Sequence, residues 1–429
     1  MKLAAQSEIR PSNIQRNALM QHAGNARWTY NWALNRHKEA YQEWLSLGKP
    51  KKWKKWPNAI SLHKELNLLK KVPLEEGGVP WMYEASKASP QEALRNLDDA
   101  FKRFFKGLAE YPKFKSRNKR IGGFKLTGTI KVTQTTIQLP RIGIIRLQPH
   151  ERGYLPIGKY SQVSVKEKAG RWFVSVVNPI DIPEGKPNGG SMVGLDMGVA
   201  RLATLSNGFV VPNPKALQNG QKKLKKLQRD MDRKKKGSMN RRKAKAKVAR
   251  AHARVTNLRR DAQHKASTYL TKNHSWIAIE DLKIKNMTKK GGSRKRGLNR
   301  VMLDAALGEF RRQLEYKGLL NDCEIVVVPP HYTSQMCSGC GFTSKGNRVS
   351  QSRFVCLSCG LRMNADLNAA INIKRLGVAA SFSETKNACG EVIRLDVAAF
   401  GHQAASMKQE PGLLTGNLSS NRKIVNTFA

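Results

Sequence analysis

The sequence is poor in acidic residues. Its 429 residues include 31 Asp and Glu against 78 Lys and Arg, so the formal net charge is +47. A compact protein with this charge repels itself unless a polyanion neutralises it, and the imbalance exceeds what solubility alone requires. Because the positive charge runs the whole length of the chain, nucleic acid fits better than an anionic membrane, which typically binds one amphipathic helix.

Long apolar runs and a cysteine-rich framework are also missing. No stretch of about 18 apolar residues is present, which excludes an ordinary transmembrane helix. The first ten residues, MKLAAQSEIR, lack the apolar centre of a secretory leader. Four of the six cysteines form two CxxC pairs, a pattern that suits metal binding better than secreted disulfides. We therefore expect a soluble, cytoplasmic protein without a membrane partner.

The pattern of apolar residues changes along the chain and divides it into regions. The hydrophobic share of 40% is normal for a folded protein, and the length is too great for a single core. Helical periodicity covers most of residues 11–108, and period-two alternation over 122–177 predicts a small antiparallel barrel or sandwich. A Gly- and Pro-containing linker at 183–190 then ends the first predicted domain, 1–190.

The second predicted domain, 191–330, combines buried strands with helices. A basic helical pair interrupts it from Ala216 to about Lys272, and residues 221–260 hold 18 Lys and Arg against two Asp. Charge of one sign favours phosphate contacts over a merely solvated surface. The polar stretch Lys283–Arg300 is expected to be a mobile connection. Three segments complete the chain: a Cys-rich insert at 331–362, a last helix at 363–380 and a tail of disordered composition at 381–429.

Two tryptophans lie among lysines in the segment Lys49–Trp56. Trp53 and Trp56 could stack on bases, as aromatic side chains in basic grooves do. They could equally pack against the protein, as most tryptophans do. Both interpretations stay open.

Four cysteines have the spacing of a zinc ribbon. Fifteen residues separate the two CxxC pairs, and a glycine, Gly341 or Gly360, follows each pair and lets the backbone turn so that its amides face the thiolates. Four thiolates fill the tetrahedral shell of Zn²⁺ and leave no open position. The pattern therefore predicts a structural zinc site whose ligands are Cys337, Cys340, Cys356 and Cys359.

Three acids lie where a carboxylate is costly. Asp196 ends the apolar strand MVGLD, Glu280 ends WIAIE, and Asp366 opens the helix ADLNAAINI. Taken singly, each acid is better explained as a helix cap or half of an ion pair. Together they match the RNase H arrangement, with acids on the first strand, a later strand and a C-terminal helix. In that arrangement two Mg²⁺ ions about 3.5–4 Å apart hold the reacting phosphodiester.

Several motifs resemble the TnpB (OrfB) proteins of bacterial insertion sequences and the related miniature type V CRISPR effectors. In chain order they are GLDMGVARLAT, IAIEDLKIKNM, EFRRQLEYKG, PPHYTSQMCSGCG, FVCLSCG and NADLNAAINI, and ARWTYNWAL, LDDAFKRFF and YPKFKSR agree more loosely. The resemblance covers about residues 1–376. It implies a multidomain α+β protein with N-terminal helical recognition and β-barrel wedge regions. An α/β RNase H-like (RuvC) core with an inserted four-cysteine zinc ribbon would follow.

The resemblance also implies roles and partners. Asp196, Glu280 and Asp366 would be the catalytic acids and hold Mg²⁺, and the four cysteines would hold Zn²⁺. The implied activity is cleavage of double-stranded target DNA beside a short motif, directed by a guide RNA from the transposon end. Such a protein is expected to be monomeric in its RNA complex and to take no small-molecule substrate. Asn364 stands where many TnpB proteins have a second Asp, and we do not expect this change to inactivate the site.

Three alternatives stay open at this stage. A miniature type V CRISPR effector would share the same motifs. A nuclease-inactive, guided DNA-binding repressor is expected to lack one of the three acids, and none is missing. A DNA-joining transposase also uses three acids, but a zinc ribbon between the second and third acids, and the lack of a Tyr with a nearby His pair, favour TnpB.

Overall fold

The computed structural model describes residues 2–50, 56–117, 121–149, 155–179 and 188–384. Contacts divide the chain into two compact units, 1–181 and 182–429. Trp53, most of the predicted linker and all but the first four residues of the predicted tail lie outside the described residues. None of the described helices is both long enough and apolar enough to cross a membrane.

The strands of the first unit form a closed barrel. They are β1 (Lys2–Arg10), β2 (Gly123–Val132), β3 (Thr136–Leu139), β4 (Gly143–Leu147), β5 (Gly158–Lys168) and β6 (Arg171–Pro179). Neighbours are antiparallel in the order β1-β4-β3-β2-β5-β6. Alternate side chains face the core, as the period-two pattern requires; Trp172, Val174 and Val176 are buried along β6. The predicted barrel is thus confirmed.

Strand β1 was missing from the sequence-based prediction. Its apolar residues do not alternate, and Ser7 and Glu8 are buried beside Ile9. The Glu8 carboxylate is tolerated there because its Oε2 lies 2.9 Å from Nη1 of Arg171 on the neighbouring strand. Pairing across the barrel, which no local pattern encodes, makes this segment a strand.

Three helices pack against the barrel within the first unit. They are α1 (Asn13–Ser46), α2 (Ala59–Leu69) and α3 (Ala88–Phe105). A capping box between Ser12 and Gln15 begins α1. Buried residues of α1 and α3, such as Leu19 and Leu97, join the barrel side chains in one core. The helices predicted between residues 11 and 108 are therefore present.

The second unit is built on a five-stranded sheet. Its strands are β7 (Met192–Asp196), β8 (Arg201–Leu205), β9 (Val210–Pro212), β10 (Trp276–Glu280) and β11 (Glu324–Val328), in the order β11-β10-β7-β8-β9. The strands β7, β8 and β9 are antiparallel neighbours, whereas β10 runs parallel to both β7 and β11. This is the predicted RNase H-like arrangement.

Six helices and a small hairpin complete the second unit within residues 188–384. The helices are α4 (Ala216–Asp232), α5 (Met239–Asn273), α6 (Ile284–Met287), α7 (Ser293–Ala305), α8 (Leu307–Leu320) and α9 (Ala365–Glu384). The hairpin strands are β12 (Arg353–Val355) and β13 (Arg362–Asn364). The predicted basic helical pair corresponds to α4 and α5.

The stretch Lys283–Arg300 is not the irregular connection expected from its composition. It contains α6 and most of α7. Side-chain hydrogen bonds hold the connection between the two helices: Asn299 Nδ2 donates to the carbonyl oxygens of Thr288 and Lys289, and Lys295 Nζ donates to that of Met287. The polar residues that suggested mobility are the ones that make these bonds.

Candidate active site and metal centre

The two strand-borne acids meet at one edge of the sheet. Asp196 is the last residue of β7 and Glu280 is the last residue of β10. The two strands are parallel neighbours in which Leu195 pairs with Ile279, so both carboxylates follow directly after a paired position. Because parallel strands end at the same edge, the fold brings together two acids that are far apart in sequence.

Helix α9 supplies the third acid by lying close over the sheet. A Cβ atom on Gly194 would sit 2.1 Å from the carbonyl oxygen of Ala370. A Cβ atom on Gly377 would sit 2.4 Å from the ring of Trp276. Only glycine permits this approach at both positions. Since α9 is held on β7 and β10, Asp366 in its first turn lies beside the strand ends.

Asp196 is the carboxyl at which the influence of the other two acids is felt. Burial raises the pKa of the Asp196 carboxyl to about 7; the charges of Glu280 and Asp366 add to the shift, and that of Arg348 opposes it. Burial also raises the pKa of Glu280, against a hydrogen bond from Thr333 and the charge of Arg348. Grouped acids of this kind favour a bound cation, because it removes the cost of their mutual repulsion.

Two neighbours of the acids were not found by sequence reasoning. Arg348 Nη2 lies 3.5 Å from Asp366 Oδ1 and donates to the Gln351 carbonyl oxygen at 3.0 Å. Thr333 Oγ1 donates a hydrogen bond to Glu280 Oε1. Both residues belong to the Cys-rich insert predicted at 331–362. Arg348 has no local sequence signal, since it is one of many cations. Thr333 lies within the motif PPHYTSQMCSGCG, which indicated the family and the cysteines but no role for Thr333 itself.

Two asparagines of α9 fasten the start of the insert to the helix. Asn368 Nδ2 donates to the Met336 carbonyl oxygen and its Oδ1 accepts from the Ser338 amide. Asn372 Nδ2 donates to the carbonyl oxygens of Thr333 and Met336. Both asparagines are fully buried. The insert therefore takes its position from the same helix that carries Asp366.

Asn364 has a clear structural role. Its Oδ1 accepts from the Asp366 amide at 3.0 Å and from the Leu367 amide at 3.3 Å. This is helix N-capping, which Asn and Asp perform about equally well. The departure from the more common Asp therefore keeps the first turn of α9 intact.

The four cysteines form a closed cluster. Their sulfur atoms all lie within 4.8 Å of one another, and among the described residues they are the one set of three or more His, Cys, Asp or Glu so close together. The Sγ atoms of Cys337 and Cys359 are 3.7 Å apart, and those of Cys340 and Cys356 are 3.6 Å apart. A tetrahedron with Zn–S bonds of about 2.3 Å has edges of about 3.8 Å. The cluster fits Zn²⁺.

Both cysteine pairs lie on turns that need glycine. Gly341 has φ 77° and Gly360 has φ 72°, a conformation that side chains other than glycine rarely adopt. Their amides donate to the carbonyl oxygens of Cys337 and Cys356 at 2.9 and 3.0 Å. Each CxxC segment is thus a fixed local turn, as its spacing and following glycine predict.

Family models match three stretches of the chain. Residues 164–291 match an OrfB family model described as "Probable transposase", and residues 308–373 match one described as "Cas12f1-like, TNB domain". Residues 1–44 match one described as "Helix-turn-helix domain". The last description does not fit this chain, in which these residues are β1 and most of the single helix α1.

Curated relatives extend the similarity to nearly the whole chain. The "Putative RNA-guided DNA endonuclease InsQ" of Escherichia coli is 36% identical over 420 residues, covering 94% of this chain and 96% of the relative. A "Putative RNA-guided DNA endonuclease" of Streptomyces pristinaespiralis is 37% identical, covering 79% of this chain and 82% of the relative. The "CRISPR-associated endodeoxyribonuclease Cas12f1" of Sulfoacidibacillus thermotolerans is 31% identical, covering 28% of this chain and 28% of the relative.

Proposed function

The chain belongs to the TnpB (OrfB) family, and on that footing we propose that it is an RNA-guided DNA endonuclease which hydrolyses its target at the RNase H-like site. The observations that support this chemistry are the placement of Asp196 and Glu280 at the ends of neighbouring parallel strands and the effect of the Asp366 charge on Asp196. Two relatives that align with most of this chain bear the name of this activity.

The three acids are proposed to hold Mg²⁺. Bound there, such ions would supply charge for activating a water molecule and for stabilising the developing charge of a phosphodiester in the transition state. The chain's own contribution is to fix the carboxylates on two strand ends and one helix, which limits their reorganisation during the reaction. Arg348 places one positive charge beside them, where it helps to neutralise a phosphate. The expected products carry 5′-phosphate and 3′-hydroxyl ends.

The cysteine cluster is proposed to bind one structural Zn²⁺. Support comes from the sulfur–sulfur distances and from the absence of a fifth ligand or open position in a four-cysteine shell. The insert that Zn²⁺ would hold together also carries Thr333 and Arg348 next to the acids. The zinc site therefore supports the catalytic site without taking part in the reaction.

Guide RNA and target DNA are the proposed partners. The strong positive charge, dense in α4 and α5, suits the phosphates of both. Base pairing between guide and target would select the sequence, and the protein would read a short duplex motif beside it. We propose that one copy of the chain binds one RNA from the transposon end.

The alternatives receive less support. A guided repressor needs no cluster of three acids. A DNA-joining transposase is suggested by the description of one family model, yet the relatives that align with most of the chain are named as endonucleases. The similarity to a CRISPR effector covers 28% of the chain.

The test begins with protein purified from cells together with any bound RNA. We expect a stoichiometric RNA that resists added ribonuclease, and its removal should abolish cleavage of a specific duplex in Mg²⁺. A synthetic RNA with a new guide end should redirect the cut to the matched duplex and spare a mismatched one. Cleavage at the same site without RNA, or with any RNA, would reject guidance and leave a DNA-reading nuclease.

A further inference from the structure

A series of neighbouring aromatic side chains crosses the surface of the first unit. We call it the aromatic patch; its members are Tyr41, Trp44, Trp56, Phe104, Phe105 and Tyr111. Ring centroids are 5.8 Å apart for Tyr41 and Trp44 and 6.0 Å apart for Trp44 and Trp56. They are 5.3 Å apart for Phe104 and Phe105 and 5.4 Å apart for Phe104 and Tyr111. The helices that carry most of these rings, α1 and α3, contact each other through His37 and Phe101, whose ring centroids are 4.3 Å apart.

The patch is both exposed and held in place. Phe105 is 78% exposed, and Tyr41, Trp56 and Tyr111 are each between 41% and 47% exposed. Beneath them, the buried ring of Phe101 contacts Phe105 and Tyr111, with centroids 6.2 and 5.7 Å away. Neighbouring exposed rings of this size mark an interaction surface. Rings supported from below lose little freedom when a partner binds.

The charge beside the Phe104, Phe105 and Tyr111 part of the patch is mainly positive. Lys102, Arg103 and Lys106 are exposed at the end of α3, and none of them forms an ion pair within the described part of the chain. Residues 101–117 contain six Lys and Arg and one acid, Glu110, whose carboxylate is paired with Lys113. A second copy of this surface would bring like charges together, which opposes self-association. A partner with flat apolar groups and negative charge is complementary.

Unpaired nucleotides have this chemistry. Their bases stack on aromatic rings without regard to sequence, and their phosphates pair with surrounding Lys and Arg. In guided DNA binding one DNA strand is displaced and left unpaired along the guide. We propose that the aromatic patch binds the displaced DNA strand through its bases; this proposal rests on the proposed function. The patch would then slow the re-annealing of the target duplex.

The experiment uses the full chain loaded with its RNA, in an Asp196→Ala background that keeps the DNA intact. The dissociation rate is measured for a matched duplex and for the matched target strand alone. Phe105→Ala is expected to speed dissociation from the duplex about fivefold or more, since one stacked base contributes a factor of about that size. It should leave the rate for the target strand alone unchanged.

Further variants test whether stacking on the ring, and not apolar area alone, slows dissociation from the duplex. Phe105→Leu keeps apolar area but no ring and should behave like Phe105→Ala, whereas Phe105→Trp should retain slow dissociation. Tyr83→Ala is the matched control, because Tyr83 is 58% exposed and makes no ring contact with the patch among the described residues. 2-Aminopurine in the displaced strand should lose fluorescence with the unsubstituted patch and regain it with Phe105→Ala.

Three results would overturn the proposal. One is an unchanged dissociation rate for Phe105→Ala on the duplex. Another is an equal effect on the target strand alone, which would place the RNA or the heteroduplex on the patch. The third is a dimer that Phe105→Ala dissociates, which would make the patch a contact between copies. If the unsubstituted complex fails to open a matched duplex at all, the proposed function itself has failed.

Discussion

The second unit contains four thiols and three carboxylates that are proposed to bind metal ions, and the two groups are built in opposite ways. The four thiols come from two tight turns of one small insert and all lie within 4.8 Å of one another. The three carboxylates come from β7, β10 and α9, and they are brought together across the fold. The first arrangement is closed and local and suits a structural ion. The second is long-range, since its members come from separate elements of the fold.

The two clusters are nevertheless joined. Helix α9 carries Asp366 and, through Asn368 and Asn372, holds the segment that leads into the cysteine insert. The insert returns Thr333 and Arg348 to the acids. The expected dependence runs in one direction: losing the four-cysteine cluster should harm catalysis, whereas losing one of the three acids should leave bound zinc in place.

The largest effect is expected when one of the three carboxylates is removed. Asp196→Ala should lower cleavage about a thousandfold or more, because several kcal/mol of transition-state stabilisation depend on the metal ligands. Guided DNA binding and zinc content should stay unchanged in gel-shift and atomic-absorption measurements. Asp281→Ala is the matched control, since Asp281 lies at the same edge but binds Arg311 at 2.8 Å. If Asp196→Ala weakened guided DNA binding as much as it lowered cleavage, the catalytic role of Asp196 would be contradicted.

The closed cluster is broken by Cys356→Ser. We expect loss of bound zinc, a lower yield of folded protein and reduced cleavage, because a four-cysteine site contributes to folding directly. Cys323→Ala is the control: it changes a buried cysteine outside the cluster and should leave zinc stoichiometry intact. Full zinc occupancy in purified Cys356→Ser protein would show that the ribbon assignment is wrong.

The link between the clusters is probed with Arg348→Ala. We expect cleavage to fall about tenfold or more, because the positive charge proposed to help neutralise the phosphate is lost, with zinc content and guided binding retained. Removing a cation 3.5 Å from Asp366 should also shift the Mg²⁺ dependence of cleavage to lower concentration. A merely structural arginine would change thermal stability without this shift.

The smallest effect concerns the cap of α9. Asn364→Ala removes the side-chain oxygen that accepts two amides and should destabilise the second unit by about 1 kcal/mol. Asn364→Asp should change the free energy of unfolding by no more than a few tenths of a kcal/mol, because Asp caps a helix about as well as Asn. Unfolding midpoints from thermal melts of the two variants decide the point. A loss of stability in Asn364→Asp as large as in Asn364→Ala would mean that the residue does more than cap the helix.

The contrast between local and long-range contacts explains which features could be predicted from the sequence. The cysteine turns are local, so spacing and following glycines predict them. The positions of Asp196 and Glu280 at strand ends could be predicted because each residue ends a short apolar run. Arg348 was missed because its contact with Asp366 depends on how the insert folds back. Strand β1 was missed because its partner strands lie more than a hundred residues away.

The distant pairing of β1 has a consequence for synthesis on the ribosome. Lys2 pairs with Pro179 in the barrel, so β1 has no β6 edge to pair with until that part of the chain has been translated. At about 5–20 residues per second, this takes roughly 10 to 35 s. Helices α1, α2 and α3 can form before β1 gains its first partner strand, β4, and then β6. A chaperone that binds extended segments would compete with β6 for β1, and the yield of folded protein should depend on how fast residues 11–170 are translated.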